Sequence, residues 1–239
     1  MKTIAIMQPY LFPYIGYFQL IHSVDSFVIC DDVQYIREGW VNRNRILLDG
    51  RPYYITLPVE RGHRSDNINQ RNFSLSKFKE GQEKILHQLS HAYRKAMYFS
   101  EVMRLVEQVF ACEERDVASF LACHLKKVCD YLGIETPFLI SSETKTDTDG
   151  LTGQDRIIAM CRAMNANHYI NPIGGQTLYD RETFERQGIK LSFIKTGTYH
   201  YTQFANKFVS DLSIIDVMMF NSVDKIHEML NKYQLSYLE

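Results

Sequence analysis

The strongest constraint on the fold is the opening stretch from Lys2 to Cys30. Lys2 to Met7 is a short β-branched and apolar run stopped by Pro9, the pattern of a buried strand. Gln8 to Tyr14 carries Pro9 and Pro13, whose fixed φ marks a loop of set geometry. Ile15 to Ser23 can coil into a short helix bearing Phe18, Leu20 and Ile21, and Phe27-Val28-Ile29-Cys30 is a second buried run, ended by Asp31-Asp32. Strand, loop with helix, and strand in about 30 residues is the length of a βαβ unit. The chain is therefore expected to grow around parallel strands.

The remaining segments fit that start. Trp40 to Leu47 and Pro52 to Val59 flank Asp49-Gly50, a hairpin signal. From Ser76 the period turns helical, with Ile85, Leu89, Ala92 and Tyr93 on one face. Ser100 is expected to N-cap a helix carrying Val102, Leu105, Val106 and Val109, and Arg115 to Tyr131 to form another, closed by Gly133. Phe138-Leu139-Ile140, His168 to Asn171 and Ile189 to Ile194 read as strands; Gly153 to Met164, Arg181 to Arg186 and Leu212 to Tyr233 read as helical. The expected class is α/β, a mixed, largely parallel sheet with an attached β-hairpin and an inserted helical layer. One domain is expected, with an α/β core at 1–60 and 135–210, the helical layer at 75–133 and C-terminal helices at 212–234.

Composition narrows the function. In 239 residues, 27 Lys plus Arg against 28 Asp plus Glu leave a net charge of -1, which disfavours a broad nucleic-acid footprint. The apolar start is too short for a signal peptide, and no apolar run reaches the roughly 20 residues of a membrane helix, so a cytoplasmic location without membrane insertion is expected. Five cysteines without a C-x-x-C pair argue against a disulfide framework and a cysteine-based zinc site; no metal-ligand set is expected. His87 and His91, four apart on a helix, have no third partner at suggestive spacing.

Four segments can carry chemistry. Gln8, Tyr10, Tyr14 and Tyr17 follow the first strand, at the sheet edge where α/β proteins bind ligands, and Gly16 lets a ligand approach backbone. Tyr14-Ile15-Gly16-Tyr17 resembles in placement the His-x-Gly-His signature of the nucleotidylyltransferase superfamily, with uncharged tyrosines where the histidines stand. Asp31 and Asp32, followed by Gln34, could hold a Mg²⁺–diphosphate or supply a general base. In the segment Trp40 to Arg45, alternation would set Trp40, Asn42 and Asn44 on one strand face as a sugar or base platform, and Arg43 and Arg45 on the other for a diphosphate. Asn171, the paired Gly174-Gly175 and Tyr179 follow a strand, where bare amides at φ > 0 could form an anion nest. His200, a loop histidine among tyrosines, could take a proton.

These segments together resemble the WbqC-like family. The likeness runs through Met7 to Ile21, Asp31 to Tyr35, Gly39 to Ile46, Tyr169 to Gly175 with Leu178-Tyr179-Asp180, and Leu212 to Asp216; Glu38 departs from it, standing where a basic residue is expected. The resemblance implies an enzyme of bacterial surface-polysaccharide (O-antigen type) biosynthesis. The reaction expected from these residues in that setting moves an acyl or aminoacyl group onto the amine of a nucleotide-linked amino sugar, with an aminoacyl-tRNA among the open donors. In that reading Arg43 and Arg45 hold the diphosphate, Trp40 and Asn42 place sugar or base, Asp32 or His200 takes the ammonium proton, and the Gly174 and Gly175 amides bind a negatively charged oxygen. An ATP-using nucleotidylyltransferase-like ligase and a non-catalytic nucleotide-sugar binding module are the alternatives.

Overall fold

The computed structural model describes residues 1–144, 146, 148, 150–204 and 207–236. Strands β1 (Thr3–Met7) and β2 (Ser26–Ile29) enclose helix α1 (Ile15–His22), as the opening pattern predicts. A hairpin of β3 (Arg43–Leu48) and β4 (Arg51–Thr56) follows. Its turn places Asp49 at φ 49 and Gly50 at φ 73, the two positive angles of a type I′ connection. Helices α2 (Phe78–Tyr93), α3 (Phe99–Phe110) and α4 (Val117–Leu132) form the inserted layer. The chain then runs through β5 (Phe138–Ile140), α5 (Gly153–Ala163), β6 (His168–Pro172), α6 (Arg181–Arg186) and β7 (Lys190–Thr196). It closes with α7 (Ile214–Phe220), α8 (Val223–Leu230) and β8 (Tyr233–Ser236).

Six strands make the main sheet in the order β5-β2-β1-β6-β7-β8; neighbours pair in parallel except β7 with β8. Alternate side chains of each central strand enter two cores. Ala5, Phe27, Ile29, Ile170 and Ile194 join α1, the helical layer and α7–α8, whereas Ile4, Ile6, Val28, Tyr169 and Phe193 face residues of α5 and α6. Burial on both faces is why these strands read as unbroken apolar runs.

The expected attached hairpin is present as a two-stranded sheet of its own, whose buried residues Ile46, Leu47 and Ile55 pack into the larger core. Two expectations change. Ser100 lies inside α3; Tyr98 occupies the N-cap without a side-chain bond. The terminal segment is not wholly helical, since Tyr233–Ser236 adds the antiparallel edge strand beside β7. By contrast, α4 ends as expected, with Gly133 closing it at φ 66; it starts two residues after the expected Arg115, at Val117, where Asp116 accepts the Ser119 amide.

Candidate functional site

The chain winds from β1 outward to β2 and β5, then returns to β6 on the other side of β1. In chain order the strands run 3-2-1-4-5-6, and ligands of such sheets sit beyond the carboxyl ends of the strands where the order reverses. A cleft of about 400 Å³ lies there, with Met7 and Pro172, the last residues of β1 and β6, in its lining. Its volume is within the range of small-molecule sites. Tyr10, Tyr14 and Tyr17 come from the loop and helix after β1, Trp40 and Arg45 from the hairpin, and Asp211 from the segment before α7.

Local structure explains how these side chains meet. Phe12 takes φ 42, unusual for a residue with a side chain, and is fixed from two sides: its amide donates to His124 Nε2 at 3.2 Å, and its carbonyl accepts from Asn44 Nδ2 at 2.9 Å. Asn44 Nδ2 also donates to the Leu11 carbonyl at 3.0 Å. The Ser213 amide donates to the Arg45 carbonyl at 2.8 Å, and the Ile214 amide to Pro13, so the segment entering α7 ties the loop to the hairpin. Gly16 is required for contact: a Cβ there would lie 2.3 Å from Thr196 Oγ1 and 2.4 Å from the Tyr14 ring. Among the lining residues the cation is Arg45, whose guanidinium lies 5.4 Å from the Trp40 ring centre and donates to the Asp211 carbonyl at 3.1 Å. Burial pushes the Tyr10 and Tyr14 phenols up; a Thr196 hydrogen bond partly opposes this at Tyr14. Burial also raises Tyr17, whose hydroxyl donates to the Gln8 carbonyl at 2.8 Å. Near neutral pH these phenols are uncharged hydrogen-bonding groups.

The aspartate pair makes a second constellation, at the ends of β2 and β5. Asp31 is buried and accepts from Asn69 Nδ2 at 3.1 Å, the Ser142 amide at 3.0 Å and the Ser142 hydroxyl at 2.6 Å. The Ser141 hydroxyl stands within reach of both Asp31 Oδ1 and Asp32 Oδ1, and its single hydrogen can serve one of them at a time. Asp32 pairs with Arg156 of α5. Both carboxylates are satisfied by groups of the protein itself: Asp31 accepts from Asn69, Ser141 and Ser142, and Asp32 is neutralised by Arg156. Among the described residues no group of three or more His, Cys, Asp or Glu is gathered as a metal site. The adjacent Cys30 thiol is pushed up to about 11, chiefly by burial, so it is not a thiolate near neutral pH.

The chain matches the WbqC-like protein family over residues 8–228. It belongs to that family. An uncharacterized protein of Mycobacterium tuberculosis (strain ATCC 25618 / H37Rv), Rv1507c, is 30% identical over 224 residues, covering 92% of this chain and 94% of its own. No solved structure matches.

This WbqC-like protein brings together Tyr10, Tyr14, Tyr17, Trp40 and Arg45, but several expected residues lie elsewhere. Trp40 precedes β3, and its ring comes round to the arginine face, near Arg45 and Tyr54; Asn42 and Asn44 point inward. The sharp turn at Glu38 (φ 59) and Gly39 is what ends the alternation before the strand begins. Asn42 accepts from the Tyr35 hydroxyl and donates to the Leu57 carbonyl, which commits it to structure. Arg43 lies over the Tyr54 ring at 4.7 Å and lines a different cleft from Arg45, so the two do not fork onto one group.

Gly174 and Gly175 sit in a short 3₁₀ turn without positive φ, so the proposed nest is absent; Gly175 instead makes room for Asn171, whose Nδ2 would lie 2.1 Å from a Cβ. Asn171 accepts from the Tyr169 hydroxyl, and Tyr179 packs on Tyr169, Phe184 and Phe193 in the smaller core. Gln34 is exposed and donates to the Arg64 carbonyl. His200 is exposed, with its ring 4.3 Å from Phe208, and neither it nor Asp32 lines the switch-point cleft.

Four residues of this WbqC-like site carried no signal of their own in the sequence: Asp211, Arg156, Thr196 and His124. Ser141-Ser142 could have been anticipated, since they directly follow the Phe138–Ile140 strand. A further buried carboxylate, Asp216, receives the Tyr93 hydroxyl at 2.7 Å, the Tyr201 hydroxyl at 2.6 Å and Gln203 Nε2 at 2.7 Å. Burial raises its pKa despite these three donors. Among the described residues no helix is long and apolar enough to cross a membrane.

Proposed function

We propose that this WbqC-like protein is a transferase of surface-polysaccharide biosynthesis that moves an acyl or aminoacyl group onto the amine of a nucleotide-linked amino sugar. The observation that carries this reading is the composition of the switch-point cleft: tyrosines and a tryptophan, one guanidinium and one carboxylate at a nucleotide-binding position of the sheet. Aromatic faces and phenols suit a sugar or base, and Arg45 suits a phosphate. The family's likeness to O-antigen cluster products supplies the biological setting. Asp211 is the candidate base, replacing Asp32 and His200. It would take the proton from the sugar ammonium as the amine nitrogen bonds to the donor's acyl carbon, and the donor's leaving group departs with its bonding pair.

The test is incubation of purified protein with nucleotide-linked amino sugars and activated acyl or aminoacyl donors, read by the mass gained on the sugar nucleotide. Arg45→Ala is expected to weaken sugar-nucleotide binding. Asp211→Asn is expected to keep binding and lower turnover by roughly 10²-fold or more. A protein that binds no nucleotide-linked amino sugar would end this reading.

A second reading, an ATP-using ligase, is favoured by one observation. Tyr14-Ile15-Gly16-Tyr17 stands at the start of α1, next to the strand-order reversal, where the nucleotidylyltransferase signature stands in that superfamily. Against it, both charge-stabilising positions hold neutral phenols. Product formation that requires ATP would favour the ligase.

A further inference from the structure

The Trp40 and Tyr54 rings, 6.2 Å apart, stand between two guanidiniums: Arg45 lies over the first and Arg43 over the second. On the Arg43 side is a separate cleft of about 500 Å³ between β3 and the segment from Val59 to Arg71. Its charges do not balance. Arg71 is paired with Asp66 at 3.0 Å, and Glu60 with Arg115 at 3.2 Å, outside the lining. Arg43 donates to the Gly39 and Glu38 backbone carbonyls and to no carboxylate. Arg37 and Arg61 form no hydrogen bond or ion pair among the described residues. Three uncompensated guanidiniums therefore face one unpaired carboxylate, Glu38, in a chain whose net charge is -1. Taking three guanidiniums less Glu38, the cleft carries a local excess of two positive charges.

The floor is built rather than incidental. Arg71 is 7% exposed, its guanidinium lies over the Tyr35 ring at 5.0 Å, and its Nε has no hydrogen-bond partner. The Tyr35 hydroxyl is held by Asn42 at 2.9 Å. Burial pushes the Tyr35 phenol up while Arg71, Arg37 and Arg43 each pull it down, and Arg37 and Arg43 line the same cleft as that ring. A buried arginine held over an aromatic ring is pre-ordered, and unpaired guanidiniums near it suit the fork geometry of phosphate oxygens. We propose that this cleft is a second ligand site, which takes a phosphate-bearing small molecule on Arg37, Arg43 and Arg61 above the Arg71–Tyr35 floor. The site does not depend on the reaction proposed for the switch-point cleft. If that reaction holds, this is where a second, phosphate-bearing substrate would sit.

Inorganic pyrophosphate is the probe, titrated by calorimetry and by the emission of Trp40, the only tryptophan of the chain. The wild type is expected to bind it, and the Arg37→Ala/Arg61→Ala double variant to lose on the order of tenfold or more in affinity, at about 1.4 kcal/mol per factor of ten. Neither side chain bonds another group among the described residues, so the double variant should keep the wild-type melting temperature; Arg61→Ala alone is the second variant should it not. Arg45→Ala, in the other cleft, is expected to bind pyrophosphate as the wild type does. No binding by the wild type overturns the proposal. So does loss in Arg45→Ala with retention in the double variant, or binding that requires a polynucleotide while pyrophosphate is inert. A nucleotide-linked amino sugar that fails to bind while pyrophosphate succeeds would end the transferase reading and leave this site standing.

Discussion

His124 lies on α4 without solvent exposure, and its Nε2 accepts the Phe12 amide, so the ring hydrogen sits on Nδ1. Nδ1 has no hydrogen-bond partner of normal geometry, and burial, weakly opposed by the Leu121 backbone, pushes the ring pKa down to about 3. In the unfolded chain the same ring titrates near 6.5. Above that value both states are neutral and stability is unaffected. Below it the unfolded chain binds a proton that the folded chain refuses, so the stability His124 contributes is lost as pH falls, by about 1.4 kcal/mol per pH unit, until the folded ring titrates. Urea denaturation at pH 7 and again two units lower should show the wild type losing roughly 2 kcal/mol more than His124→Gln, since about one and a half of those units lie below 6.5. Equal losses in the two proteins would contradict a buried neutral ring. Because the same ring holds Phe12 at its positive φ, the variant should also loosen the loop bearing Tyr10 and Tyr14.

Among the elements, the Asp216 cluster joins parts of the chain that neither strand pairing nor helix packing would lock in register. Tyr93 ends α2, Asp216 is on α7, Tyr201 and Gln203 are in the segment after β7, and the Leu47 amide of β3 donates to the Tyr93 hydroxyl at 2.7 Å. Tyr93 is therefore acceptor and donor at once. Tyr93→Phe would leave a buried amide without an acceptor and Asp216 Oδ2 without its donor, for an expected cost of roughly 2–4 kcal/mol. Tyr201→Phe removes one donor from Asp216 Oδ1, which still receives Gln203, and should cost less. Thermal or urea unfolding of the two variants ranks them, and a Tyr201→Phe loss as large as that of Tyr93→Phe would mean the Leu47 bond contributes nothing. The Leu212 to Asp216 motif was visible in the sequence, but its role was not, because its partners Tyr93 and Leu47 lie 123 and 169 positions away from Asp216.

For the whole molecule, what could be read in the sequence was local. β1, α1 and β2 follow from one apolar run, two prolines and another run, and the type I′ turn follows from Asp49-Gly50. Strand order was hidden, since periodicity says that a strand is buried but not beside which neighbour. The short edge strand Tyr233–Ser236 was missed because its half-exposed residues continue a helical stretch. In the site, Tyr10 and Tyr14 were legible as residues after a strand end, Trp40 and Arg45 were legible as members of one polar and aromatic segment though on opposite faces, and Asp211 reaches the cleft only through tertiary contact.

The cleft is thus shared between the main sheet and a hairpin that forms no ladder with it, and the join depends on few bonds. Asn44 Nδ2 donates to both the Leu11 and Phe12 carbonyls, and the Leu11 amide returns to Trp40 and Val41. Asn44→Ala would strand two buried carbonyls at the boundary while leaving every strand pair of the six-stranded sheet intact. Unsatisfied groups at such a boundary are expected to open it locally, at a free energy below that of global unfolding. Trp40 reports on the join, since it sits beside the boundary and is the sole tryptophan. Asn44→Ala should therefore shift Trp40 emission to the red at urea concentrations where far-ultraviolet circular dichroism is still native, with amides of β1 and β6 protected from hydrogen exchange. Coincident transitions would show instead that hairpin and sheet unfold as one unit, and that the walls of the cleft cannot separate without the loss of its floor.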